Sequence, residues 1–118
     1  MEKAKVYFTK DISSEGLQKI YNALGINLKG KVAVKLSTGE PGGHNFLNPK
    51  MIQPLVNKLN GTIVECNTAY AGKRNTTKAH WQTFKDHGFY DIAPCDIMDE
   101  EGDMAIPVSN PLQIKENF

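Results

Sequence analysis

The chain has 118 residues, which allows one domain and hardly two. Hydrophobic residues make up 40% and charged residues 23%, enough apolar surface for a core that needs no staples. The 14 Lys and Arg against 13 Asp and Glu leave a formal charge of +1, which argues against nucleic-acid and membrane-surface roles, because both need a strong basic excess. No apolar run approaches the ~20 residues of a membrane span, and the polar start Met1–Lys5 has no signal-peptide core. The expectation is a cytoplasmic domain with no nucleic-acid or membrane partner. Cys66 and Cys95 read as ordinary thiols in that setting. They are too few for a four-thiolate cluster, and none of His44, His80 and His87 has metal-pair spacing with either, so no metal or cofactor is expected in this chain.

In chain order, Lys5-Val6-Tyr7-Phe8 is short and β-prone and predicts a first strand. Ser13 or Ser14 then caps a helix whose stripe is Leu17, Ile20, Tyr21 and Leu24, closed by Gly25. The run Lys31–Leu36 is nearly continuous in apolar character and predicts a strand covered on both faces. After a loop from Gly39 to Asn48, Asn48 caps and Pro49 opens a second helix with the stripe Ile52, Leu55, Val56 and Leu59, closed by Gly61. Pro54 inside this stretch is expected to disturb the first turn or to restart the helix. A third strand is expected at Thr62–Cys66, then a loop from Asn67 to Asn75 and a helix from Thr76 to His87. That helix has the thinnest apolar stripe, chiefly Trp81 and Phe84, and is expected to be the most exposed of the three. Beyond Gly88, Asp96–Met98 and Met104–Ile106 flank an acidic turn, with further short strands at Val108 and Leu112–Ile114. The acidic cluster lacks the spacing of a calcium loop and reads as a solvated turn.

Strand–helix alternation with short links implies right-handed crossovers and a parallel sheet. The expected fold class is therefore α/β: one doubly wound domain over residues 1–118, with a mostly parallel sheet, helices on both faces and a short C-terminal β-hairpin. In such sheets ligands bind outside the carboxyl ends of the strands, which singles out the loop Thr9–Ser14 and two loops that carry candidate residues, Ser37–Asn48 and Asn67–Asn75. The first of these two holds Gly39, Gly42 and Gly43, whose backbone can approach a ligand, with Asn45 beside them. It has neither the Walker nor the dinucleotide spacing. Glu40 and His44 are the candidate catalytic pair, a general base and its partner, set against the plainer reading of two solvated side chains. Lys35, late in a strand that reads as buried, is either paired, open to the strand end or snorkelling to solvent. The second loop holds Asn67, Thr68, Tyr70, Gly72 and Arg74 just before a helix N-terminus. Arg74 suits a carboxylate or phosphate, so an anionic small molecule is the expected partner, against a plain cap with solvated charges or a permanent pairing of Arg74 with Glu40 or Glu65.

Lys35-Leu36-Ser37-Thr38-Gly39-Glu40-Pro41-Gly42 with Asn45-Phe46-Leu47, and then Asn67-Thr68-Ala69-Tyr70-Ala71-Gly72-Lys73-Arg74, resemble the two signatures of the domain of unknown function 362 family, whose members are often labelled iron–sulfur centre proteins. The spacing to His80, to His87-Gly88-Phe89 and to Ala93-Pro94 is similar, and the resemblance runs from about Val6 to Ile106. Ser37 stands where the family usually has His, and Glu65-Cys66 where it has Asp-Thr, so roles of those side chains do not carry over. Family members continue into a glycine- and histidine-rich half, and many add a ferredoxin-like module. The resemblance thus implies that this is the N-terminal fragment of a longer, redox-linked protein, with the 4Fe-4S cluster elsewhere in the full-length chain. Three functions follow as expectations: a ligand-binding domain with an anion site at the strand ends; a hydrolase or transferase acting on an anionic small molecule through Glu40 or His44; and a scaffold that docks the missing half or a ferredoxin-like module.

Overall fold

The structure is a computed structural model that describes residues 3–101, 107, 109, 110 and 112. Three helices and three strands alternate: α1 (Ser14–Ala23), β1 (Val32–Lys35), α2 (Pro49–Lys58), β2 (Gly61–Glu65), α3 (Thr77–Asp86) and β3 (Cys95–Ile97). The strands form one parallel sheet in the order β1-β2-β3. Val34 lies opposite Ile63, Ile63 opposite Cys95, and Glu65 opposite Ile97. The mixed α/β class and the parallel sheet are as expected.

Strand alternation divides the sheet into two unlike faces. Ile63 and Ile97 on one face join Ile52 and Val56 of α2, Phe84 of α3, and Leu36, Phe89 and Ile92 in a single apolar core. Fully burying each such side chain stabilises the fold by about 1.5–3 kcal/mol. On the opposite face, Ala33 and Asp96 are exposed, Thr62 is half-buried and Val64, in the central strand, is buried. β1 therefore alternates half-buried and exposed positions, not buried ones throughout as its composition suggests. It is an edge strand, and its one apolar residue on the second face, Ala33, is exposed.

Three local features explain how the helices hold. Ser13 caps α1 by accepting from the Gly16 N–H at 3.1 Å. Pro54 sits inside α2 without ending it. A proline at 54 cannot bond the carbonyl of residue 50, and the Ser14 hydroxyl takes up that freed acceptor at 3.4 Å together with the Met51 carbonyl at 2.8 Å. The defect in α2 thus becomes the contact that seats α1. Asn60, at φ 48°, turns the chain out of α2 in place of the expected Gly61. Gly61 instead begins β2, where an added Cβ would stand 2.8 Å from Val34 Cγ2.

Three further expectations are corrected. Lys5–Phe8 forms no strand: Val6 is 89% and Phe8 80% exposed, because β-propensity supplies no neighbour to pair with. The third parallel strand is β3, which pairs with β2, in place of the one expected at Lys5–Phe8. The proposed return strand Met104–Ile106, like Val108 and Ile114, lies outside the described residues. Finally, α3 is the most buried helix, with His80, Thr83 and Phe84 inside, while α1 buries only Gly16. The polar residues at 80 and 83 hide α3's inner face from an apolar count. Among the described residues, no helix is long and apolar enough to cross a membrane.

Truncating Ile63 to Ala is expected to cost about 2–5 kcal/mol in denaturant unfolding, and truncating Val6 no more than about 0.5 kcal/mol. A Val6 cost approaching that of Ile63 would show that Lys5–Phe8 is a packed strand.

Candidate functional site

The carboxyl end of β2 carries a buried carboxylate. Parity along the strand puts Glu65 on the core face with Gly61 and Ile63, and it is 4% exposed. A carboxylate removed from water needs donors on both oxygens. Glu65 Oε1 accepts from Arg74 Nη1 at 2.8 Å. Its Oε2 accepts from the Thr38 backbone N–H at 2.9 Å and faces His80 Nε2 at 3.1 Å. A carboxylate oxygen only accepts, so Nε2 of His80 carries the hydrogen. One side chain of β2 therefore ties the extension of β1, the β2–α3 loop and α3 together.

Around this centre the two expected loops interlock. Arg74 Nη2 donates to Glu40 and to the Tyr70 hydroxyl, and the Tyr70 hydroxyl donates to Glu40 Oε1 at 3.0 Å. Glu40 belongs to the first loop, Tyr70 and Arg74 to the second. Arg74 is buried between its two carboxylates, and its Nε is the one buried side-chain polar atom without a partner among the described residues. The guanidinium hydrogen bond, seconded by that from Tyr70, lowers the Glu40 carboxyl below its ordinary value of 4.5.

Thr38 is the second junction. Its N–H meets Glu65, its hydroxyl lies 3.3 Å from His80 Nε2, and its carbonyl accepts from His87 Nδ1 at 2.6 Å. The His87 ring stacks on Phe46, centroids 4.0 Å apart and planes within 5°. Phe46 in turn packs over Gly39, where a Cβ would stand 2.7 Å from Phe46 Cβ and where φ is +82°. Between them, Glu40-Pro41-Gly42-Gly43 closes a turn through the Gly43 N–H and the Glu40 carbonyl at 2.8 Å, with Gly42 at φ +79°. The second loop is pinned similarly. Asn67 N–H donates to Asp99, Asn67 Nδ2 to Thr77, and the Thr68 N–H to the Arg74 carbonyl.

The structure thus brings Glu40, Asn67, Thr68, Tyr70 and Arg74 into one neighbourhood and leaves other candidates aside. His44 and Asn45 are exposed, and Glu40 bonds Arg74 and Tyr70, so the expected Glu40–His44 pair is not formed among the described residues. Arg74, expected to grip an external anion, grips Glu65 and Glu40 because burying Glu65 demands a counter-charge. Gly43 spends its N–H on the turn instead of turning it toward a ligand. Lys35 is exposed and donates to the Leu36 carbonyl at 3.2 Å, the snorkelling outcome. Gly72 stands at an open loop tip. Glu65, Thr38, His80 and His87 are absent from the candidate site set that the sequence supplies. Two signals point to them: Glu65 has the parity of Ile63, and His80 lies four residues before Phe84, hence on the same helical face.

Among the described residues, no cluster of three or more His, Cys, Asp or Glu side chains is placed to hold a metal ion. No protein family, curated protein or solved structure matches this chain.

Because the folded-state pKa of Glu40 is depressed, its ionised form stabilises the fold above the ordinary carboxylate range. That contribution is lost as pH falls through the depressed value. The melting temperature of the native chain is therefore expected to exceed that of Glu40→Gln at neutral pH, with the gap closing as pH falls below 4.5. A gap independent of pH would remove the Arg74–Glu40 ion pair from the account.

Proposed function

We propose that this chain is the α/β platform of a larger iron–sulfur-linked protein and that it acts by docking a further module on its sheet. The observation that carries this reading is the second face of the sheet, where no helix joins a core among the described residues. α2 and α3 both contribute to the core on the Ile63 face, while the other face opens as a shallow depression of about 550 Å3 with Ala33, Thr62, Val64 and Asp96 along it. Parallel sheets are normally covered on both faces, so a second layer of helices here would complete a doubly wound layout. The resemblance to the domain of unknown function 362 family names candidate occupants: the glycine- and histidine-rich half, or the ferredoxin-like module that brings the cluster.

The interlocked loops fit a platform better than a hydrolase or transferase. Glu40 is held ionised by Arg74, so it is a weak base, and His44 does not support it. Anion binding at the strand ends remains a second reading, favoured by one observation: the buried Arg74 Nε–H has no acceptor of its own. Inorganic phosphate is the probe, and amide shifts of Gly42, Gly72 and Arg74 that saturate would support it.

The docking reading is tested by supplying the second half of a family member in trans. A complex is expected on gel filtration, and Ala33→Glu is expected to abolish it without lowering the melting temperature, since Ala33 is exposed. Absence of a complex with the native chain, or an Ala33→Glu chain that still binds, would contradict the reading.

A further inference from the structure

A second concavity lies away from the strand-end loops. At the amino end of β3, the second half of α3 and the segment 90–95 line an open cleft of about 740 Å3. Trp81 and Lys85 stand four residues apart on α3 and share one helical face. The Trp81 and Tyr90 rings meet edge to face, centroids 6.1 Å apart and planes at 87°, so they form two perpendicular aromatic walls. The Trp81 indole is fixed by its N–H, which donates to Glu100 at 3.0 Å. Ile92, buried, and Cys95, half-buried, add apolar lining. Burial pushes the Cys95 thiol up to about 11, so it stays protonated at neutral pH and contributes no charge.

Two charges mark the cleft. Lys85 Nζ lies 5.5 Å above the Tyr90 ring centroid, a cation–π placement that holds the ammonium beside the aromatic walls. Among the described residues it makes no ion pair. Asp91, exposed, adds a single carboxylate to the lining.

We propose that this cleft binds a small planar aromatic monocarboxylate. The ring stacks against one aromatic wall with its edge toward the other, as the quadrupoles of Trp81 and Tyr90 favour. The carboxylate meets the Lys85 ammonium, whose position over Tyr90 lowers the ordering cost of the ion pair. The volume is within the range of about 300–1,000 Å3 usual for small-molecule sites. Asp91 limits the ligand to one negative charge, because a second carboxylate would add repulsion without a second cation. This site shares no residue with the Glu65–Arg74 network and only Pro94 with the depression on the Ala33 face, and the groups that would bind the ligand, Trp81, Lys85 and Tyr90, lie outside both.

Trp81 is the only tryptophan of the chain, so intrinsic fluorescence reports the cleft directly. Benzoate is the probe. It is expected to change Trp81 emission in a saturable manner in the millimolar range. Benzamide, which keeps the ring and removes the charge, is expected to bind about tenfold more weakly, the scale of a lost charged hydrogen bond. Cyclohexanecarboxylate, which keeps the charge and removes the π-face, and phthalate, which adds a charge, are also expected to bind more weakly than benzoate. Lys85→Met keeps the apolar stem and is expected to lose about tenfold for benzoate while leaving benzamide unchanged. Lys85 is exposed, so this variant folds as the native chain does, which its melting temperature checks. Emission that responds to benzoate only linearly, equal affinity for benzoate and benzamide, or a Lys85→Met chain that binds benzoate as the native chain does would each overturn the proposal.

Discussion

A carboxylate in the core of a small sheet constrains everything packed around it. Glu65 occupies a position that alternation assigns to the apolar face, opposite Ile97 and two residues after Ile63. Desolvating that charge costs several kcal/mol unless its oxygens are fully engaged. The engagement comes from three separate segments: the Thr38 peptide, the His80 ring and the Arg74 guanidinium. Arg74 is then buried too, and its second ion pair reaches the surface at Glu40. The order of the strand-end loops follows from that chain of compensation. Neither loop has a regular element of its own, yet each is fixed at several points, some by partners of Glu65 and some by separate contacts such as Asn67 with Asp99 and Phe46 with His87.

This has a consequence for function. A guanidinium shared between two carboxylates carries no surplus charge for an outside anion, and a carboxylate held by that guanidinium is a weak base. The groups that look catalytic in a list of residues are therefore largely committed to one another. What remains uncommitted lies elsewhere: the Ala33 face of the sheet, and the aromatic cleft at the amino end of β3. The proposed docking function rests on the sheet face that carries no helix layer among the described residues.

Much of the fold was legible because it rests on local rules. The Ser13 and Asn48 caps, the proline opening α2, and the apolar runs of β1 and β2 all appear where their spacing places them. What was not legible depends on partners distant in sequence. Lys5–Phe8 has strand composition and no strand beside it. Pro54 stays inside α2, and the carbonyl it leaves without an N–H meets the hydroxyl of Ser14, far upstream. The depth of α3 was hidden because its inner face uses His80 and Thr83 in place of aliphatic residues. The site followed the same division. Its two loops were found from topology, but the direction in which Arg74 points depends on Glu65, which reads on its own as one more polar residue in a strand.

The central claim is that Arg74 exists to compensate Glu65, and a double-mutant cycle measures it most directly. Denaturant unfolding would be compared for the native chain, Arg74→Met, Glu65→Met and the double variant. Arg74→Met alone should destabilise by about 3–5 kcal/mol, because it leaves a buried carboxylate without its counter-charge. The double variant should recover much of that loss, giving a coupling energy above about 2 kcal/mol. Additive effects, or an Arg74→Met chain within about 0.5 kcal/mol of the native one, would contradict the account and return Arg74 to the role of a free anion-binding group.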